Sequence, residues 1–563
     1  MRRVIAYKLI MATLRKTKVG KYAYWQILES KRVDGKPRPI VLMHLGTADQ
    51  LLYKLREGPV KKTVRSASHG AVWLLFKTAE ELGLKDTFYR LFGSRVRDGL
   101  LVGQSLLFAA IHRAVRPGSK KSFSGWAKQT TLPEIGRFNP EELTSQHFWD
   151  QMDTVTDEQI EAVETEITAK MIDRGLISTK LLFYDLTNFF TYIDTENGRS
   201  KLAQRGRNKQ KRHDLRQFGL AQVVTKEFLI PVLSEVYEGN ITDKTLFIPF
   251  ITRLRRKLSE LNLNLEELTV VFDKGSNTKS NFAELDKHQL PYVASLTTSY
   301  HEDLLKIDFS HYRPVIVGDN ELLCYRTTKQ IWGKERTVVI YLSEKLRQGQ
   351  LSGLEKALKK KNEQLQELKQ KLNSPRARKK KREDIEAKIK AILKGERGEL
   401  LIRVFINEIS EGHFDIDWEV DPENYRFVTE KIFGKKMLVT GRDDWSEEEI
   451  IKAYFGQSNI ERVFKNFKNP YHHAVHPQFH WTDQKVKVHT FVCLTGLLLS
   501  QVIWKKSREA GYNYSIETLL DKLTEVRQAE IVSLTGFKGK PSKEVQLEEM
   551  EPELLKLYQV LDK

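Results

Sequence analysis

Between residues 180 and 297 the chain reads as strand, strand, strand, helix, strand, helix, strand, an order that calls for a mixed α/β sheet. LLFYDLTNFF (181–190) reads as a buried strand, followed by FGLAQVVT (218–225) and PVLSEVYEG (231–239) in hairpin succession. Helical spacing covers 243–261. LTVVFDKG (268–275) is a further strand, a second helix runs from Ser276 to about His288, and YVASLT (292–297) closes the series.

Other parts surround this unit. Residues 1–60 alternate as a small β-meander, with YAYWQILESKR and RPIVLMHLG joined by a turn at Asp34-Gly35. Residues 65–175 carry apolar side chains at three and four spacing, with basic loops such as Arg116 to Lys121 between the helices. That stretch is expected to be a DNA-binding helical domain, a plain packing domain being the alternative. Residues 301–445 break the alternation and read as an insertion. They hold short strands (PVIVG, ELLCYRTT, RTVVIYLS, FDIDWEV, KMLVTG) and a charged helical hairpin over 351–393. Leu351, Leu354, Leu358, Leu365, Leu368 and Leu372 form a short heptad run, Pro375 breaks it, and Ile385, Ile389 and Ile392 resume it. The apolar face is expected to pair within the hairpin. Helices return over 446–505, and 506–563 reads as a helical tail.

Composition narrows the partners. Lys and Arg number 93 against 74 Asp and Glu, a formal charge of +19, which favours a polyanion such as nucleic acid. The two cysteines, Cys324 and Cys493, supply neither a disulfide framework nor a cysteine zinc site, so a reducing cytoplasm is expected. Met1 to Leu14 has no apolar core of the kind a leader peptide needs. The most apolar stretch, Thr490 to Trp504, is short for a bilayer and flanked by His489 and Lys505, so it is expected to be a buried helix and no membrane span is expected.

Three acids stand out. Asp185 follows the apolar run Leu181 to Tyr184, and Asp273 follows Val270 to Phe272. A carboxylate at the end of a buried strand needs a partner, and two on adjacent strands repel unless a divalent cation joins them. Helix caps and turns are the competing use of each. Glu461 shares a polar helical stripe with Tyr454, Gln457, Lys465 and Lys468, next to an apolar face of Ile460, Val463, Phe464 and Phe467. Such a stripe supplies a metal ligand and phosphate contacts together. Ser458 to Glu461 also reads as a capping box, and on the residues alone the two readings stand level. Lys201, Arg205, Arg207, Lys209, Lys211 and Arg212 form a basic loop suited to tracking a phosphate backbone. His472, His473, His476 and His480 are spaced as zinc ligands, with no acid or cysteine to complete a site.

The pattern resembles the DDE transposases of bacterial insertion sequences, in the group marked by a Tyr-x2-Arg-x3-Glu-x6-Lys signature. Here the signature reads Tyr454-x2-Gln457-x3-Glu461-x6-Lys468, with every spacing kept. YDLTNFF resembles the family's first acidic strand and VVFDKGSNTKSNF its second. KRHDLRQFGLAQVV and EVYEGNITDKTLF match the intervening strands and a Gly-Asn-x-x-Asp turn. The family's arginine is Gln457 here, which keeps a hydrogen-bond donor and loses the charge and bidentate grip. The resemblance implies an RNase-H-like core in two parts, 178–300 and 446–505, in which the first and fourth strands are neighbours. It implies that Asp185, Asp273 and Glu461 hold two Mg2+ (or Mn2+) ions that serve DNA cleavage at the element's ends and strand transfer into target DNA. Tyr454, Gln457, Lys465, Lys468 and the basic loop would contact double-stranded DNA. A homodimeric synaptic complex and a place in the bacterial cytosol, at the nucleoid, follow from the same resemblance. In relatives an aromatic of the insertion supports a flipped base, for which Trp332 and Trp418 are candidates beside a core role. A nuclease of the same fold without strand transfer, and an inactive or domesticated transposase that only binds DNA, share these features.

Overall fold

In a computed structural model the described residues are 12–33, 36–56, 61–93, 96–194, 196–208, 210–375, 378–476, 478–534 and 542–563. The expected Asp34-Gly35 turn and Lys209 lie outside them.

The centre is a nine-stranded mixed sheet. In chain order its strands are Leu181–Thr191 (β1), Arg216–Thr225 (β2), Pro231–Glu238 (β3), Thr269–Phe272 (β4), Tyr292–Ser295 (β5), Arg313–Val317 (β6), Asn320–Ile331 (β7), Lys334–Leu342 (β8) and Lys435–Thr440 (β9). Their spatial order is β6-β7-β8-β9-β5-β4-β1-β2-β3. β4 runs parallel to β1 and β5 parallel to β4, while the flanking pairs are antiparallel. The period of two explains the apolar runs. Leu182, Tyr184, Val270 and Phe272 face a core built with the helix Asp243–Glu260, and Phe183 and Val271 face a second core built with Glu447–Gly456 and Ile460–Lys468. Both faces are covered, so neither face of these strands needs polar residues.

Two expectations about the outer parts change. β6, β7, β8 and β9 lie within 301–445, yet they complete the central sheet, so the part that leaves it is shorter: residues 343–434. Its two ends meet, because Leu342 pairs with Lys435 across β8 and β9. Local spacing cannot reveal this, since strand pairing is decided by what lies beside a strand in space. The tail is also not all helical. After the helix Ile516–Glu525, the strand Arg527–Leu534 pairs with Lys61–Ser68 and with Ser542–Leu547, tying the two ends of the chain together.

Within 343–434, the helices Glu344–Leu372 and Arg382–Leu393 do pair through their heptad face. Leu365, Leu368 and Leu372 meet Ile385, Ile389 and Leu393, and the same cluster also takes in Ile402, Phe414 and Ile416 from a two-stranded sheet. The hairpin is therefore the cover of that small sheet and not self-contained.

The helix Asp483–Glu509 holds the apolar stretch around Thr490 to Trp504 and joins two cores. Phe491, Val492 and Val502 pack against the N-terminal helices Gly70–Glu81 and Val102–Val115, while Val486, Leu494 and Leu497 pack toward the sheet. By length and composition it is the one helix among the described residues able to cross a bilayer, but 89% of its most apolar window is buried inside the protein.

Candidate active site

The parallel register of β1 and β4 sets the site. Thr269 lies beside Leu181, Val270 beside Leu182 and Val271 beside Phe183; β4 ends at Phe272, and Asp273 follows it into the cleft that Asp185 also lines. Asp185 is not at the end of its own strand, as the apolar run suggests. β1 continues to Thr191, with Asp185 opposite Gln222 of β2. It is β4 that stops at Phe272, leaving a notch in the sheet with Asp185 half-buried on one side and Asp273 exposed on the other.

The third acid approaches from a helix. The helix Glu447–Gly456 begins with a true capping box of Ser446 and Glu449, passes through a tight turn at Gln457–Asn459 and resumes as Ile460–Lys468. Glu461 is not part of a capping box. The Ser458 hydroxyl donates backwards to the Phe455 carbonyl at 2.9 Å, and Asn459 before the helix makes no side-chain cap. Glu461 is exposed instead in a cleft of about 1020 Å³ that Asp185 and Asp273 also line. The helix is held close to the sheet by Gly456: a Cβ there would stand 2.2 Å from the Phe183 ring.

The signature residues sort by what they touch. The Tyr454 hydroxyl donates to Asp273 Oδ1 at 3.2 Å, and burial, followed by the charges of Asp273 and Asp185, pushes its pKa up, so it stays a donor. Gln457 is buried and spends its amide on the Tyr184 carbonyl at 2.8 Å, one residue before Asp185. It ties helix to strand and presents no charge to the cleft. Lys468 Nζ donates to Thr187 Oγ1 at 2.8 Å, while Lys465 is exposed on the cleft wall. Lys274, Lys345 and Lys436 line the same cleft. Lys436 has its pKa lowered by burial, with Asp273 opposing the shift. Sequence reading missed these three. Lys345 lies at the start of residues 343–434 and Lys436 follows them, and no local pattern links either to Asp273.

Of the basic loop between β1 and β2, Lys201, Arg205, Arg207, Lys211 and Arg212 are exposed. Arg207 lines a second recess, of about 500 Å³, that also reaches Asp185 and Asp273. Arg212 grips Asp214 with two hydrogen bonds of 2.8 and 2.7 Å and holds that carboxyl down to about 2. Asp483 clamps the start of the loop, accepting from the Ser200 hydroxyl and the Lys201 and Leu202 amides.

The histidines do not converge. His472 meets Asp521 and the Ala114 carbonyl, His473 meets Ser500, and His480 meets Lys120. Trp332 sits in the tight turn between β7 and β8 with its ring 4.5 Å from that of Phe282, and Trp418 donates to Asn362 at 2.6 Å. Among the described residues no three or more His, Cys, Asp or Glu side chains are already gathered closely enough to hold a metal ion. Asp185, Asp273 and Glu461 are all oxygen donors facing one cleft, and Mg2+ characteristically takes one or two carboxylates plus substrate phosphates instead of a closed protein cage. The donor set fits such an ion.

Residues 191–485 match the family model described as the transposase DDE domain, and residues 12–67 match that of the IS1634 family transposase, N-terminal domain. The first match begins just past Asp185 and contains Asp273 and Glu461. It spans more than half the chain, and the chain belongs to the DDE transposases of insertion sequences. The protein is thus a transposase, of a class that cuts DNA with the help of divalent metal ions. No curated protein matches the chain. Among solved structures, a piggyBac transposase synaptic complex with hairpin DNA is similar at 10% identity and a TM-score of 0.35, over 81% of this chain and 78% of that one.

Proposed function

We propose that this transposase cuts DNA at the ends of its insertion sequence and transfers the freed 3′ ends into target DNA, with Asp185, Asp273 and Glu461 as ligands of two Mg2+ or Mn2+ ions in an RNase-H-like core. The observation that carries the reading is that β1 and β4 are parallel neighbours and that Asp185, Asp273 and Glu461 line one cleft. Two carboxylates on neighbouring strands repel, and a cation between them relieves the cost. When bound, the ions supply the Lewis acidity that phosphodiester cleavage needs.

The protein's own groups divide the remaining work. Tyr454 holds Asp273 in place through its hydroxyl, and Gln457 fixes the backbone that carries Asp185. Lys465 and Lys468, with Lys274, Lys345 and Lys436, give the cleft the positive charge that a DNA backbone requires. Arg205, Arg207 and Lys211 extend that charge along the adjoining loop. In the first reaction water attacks the phosphorus at the element's end, the bond to the 3′ oxygen breaks, and that oxygen leaves as a 3′ hydroxyl. In the second this hydroxyl attacks a target phosphodiester, and the target's own 3′ oxygen leaves. Neither reaction needs a covalent link to protein.

The test is cleavage of a labelled transposon end with Mg2+ by Asp185→Asn, Asp273→Asn and Glu461→Gln. Each is expected to lose both nicking and strand transfer while retaining DNA binding. Cleavage near the wild-type rate by any one of them removes that residue from the site.

A further inference from the structure

We infer that Asp243 is a fourth carboxylate of this site, one that strengthens cation binding at Asp185 and Asp273 from just beyond the ligands. The inference rests on the metal site proposed above. Asp243 opens the helix Asp243–Glu260, which crosses from β3 to β4. Its carboxylate lies against the turn that follows Asp273: a Cβ on Gly275 would stand 2.8 Å from Asp243 Oδ2. Gly275 has no need of glycine for its backbone angle, since its φ is not in the left-handed region. Its missing side chain instead leaves room for that carboxylate.

The recess of about 500 Å³ places Asp243 with Asp185 and Asp273, on the side of the notch away from Glu461. Tyr184 and Tyr237 line it too. Tyr184 is 1% exposed, and its hydroxyl has no hydrogen-bond partner among the described residues. A group so buried, in a recess ringed by three acids, marks a place where a polar occupant belongs. An acid in a helix's first turn is also favoured by the helix dipole, which is the competing account. The two accounts differ in what they predict for a cation.

Residues just beyond a metal's ligands typically change its affinity 10- to 100-fold. Mn2+ binding to the full-length protein, read from the electron-spin signal of the free ion, should weaken by about tenfold or more in Asp243→Asn. Gly275→Ala, which keeps the carboxylate and displaces it, should weaken binding in the same direction. Asp273→Asn is the control for the site itself. If Asp273→Asn weakens Mn2+ binding while Asp243→Asn leaves it unchanged, Asp243 serves its helix alone and this inference is overturned. If neither substitution alters binding, the metal site falls with it.

Discussion

At the residue scale, Glu461 is where structure separates two readings that the sequence leaves level. Glu449 closes a capping box with Ser446, whereas Glu461 follows a serine whose hydroxyl is turned the other way. Glu461→Gln should therefore leave thermal stability within a few tenths of a kcal/mol, the range of ordinary surface changes, while end cleavage is lost. Cleavage retained at the wild-type rate, with stability equally unchanged because a glutamine there would still cap, would restore the capping role. Gly456 makes a different demand. Its Cβ would meet the Phe183 ring at 2.2 Å, two residues from Asp185, in a core with no room to give. Gly456→Ala should cost about 1–3 kcal/mol in a denaturant titration, as overpacking does, and should slow cleavage by moving the Glu461 helix off the sheet. An unchanged midpoint would show that the helix tolerates the shift.

At the element scale, residues 343–434 form an appendage whose ends are already joined. Leu342 and Lys435 are paired neighbours on β8 and β9, so a two-residue Asn-Gly turn can replace the whole segment. That variant should be soluble, cooperative in melting and able to bind DNA; aggregation would show that the appendage covers the central sheet. Removing only the helical hairpin, residues 351–393, is expected to fail. It would uncover Ile402, Phe414 and Ile416, which are at most 5% exposed, and leave a two-stranded sheet without a core. The charged heptad run is legible from spacing alone, but the strands that it shelters lie outside it in sequence.

At the scale of the whole molecule, the N-terminal helices, the C-terminal strands and the sheet are bound together around the helix Asp483–Glu509, and neutral histidines fill this junction. His112 and His473 are buried, and desolvation, with neighbouring positive charge, lowers each to about 3; His476 is lowered to about 4. A histidine depressed in the folded state stays neutral there while its unfolded counterpart takes up a proton. Its contribution is thus whole above pH 6.5 and is lost as pH falls toward the folded value. Each of His112 and His473 should remove about 1.4 kcal/mol per pH unit between pH 6.5 and 4. The melting temperature should accordingly fall steeply from pH 7 to pH 5. A flat profile over that window would mean that these side chains are solvated in solution.

The order of strands and helices from 181 to 297 was legible in the sequence, and it rests on short-range rules: a buried strand must be apolar, and a charge that ends such a run must have a reason to be there. That the first and fourth strands are neighbours was implied by the family resemblance, which also singled out Asp185, Asp273 and Glu461 as the candidate acids. The family pattern at Tyr454, Glu461 and Lys468 added the spacing that links them. Only the tertiary structure decided that β6 to β9 belong to the central sheet and that the tail pairs with Lys61–Ser68. It alone showed Gln457 turned to the Tyr184 carbonyl and Asp243 packed against Gly275. Each of these is a contact between residues far apart along the chain, and the partner of a strand edge or a buried amide is chosen by proximity in the folded state, which local pattern does not record.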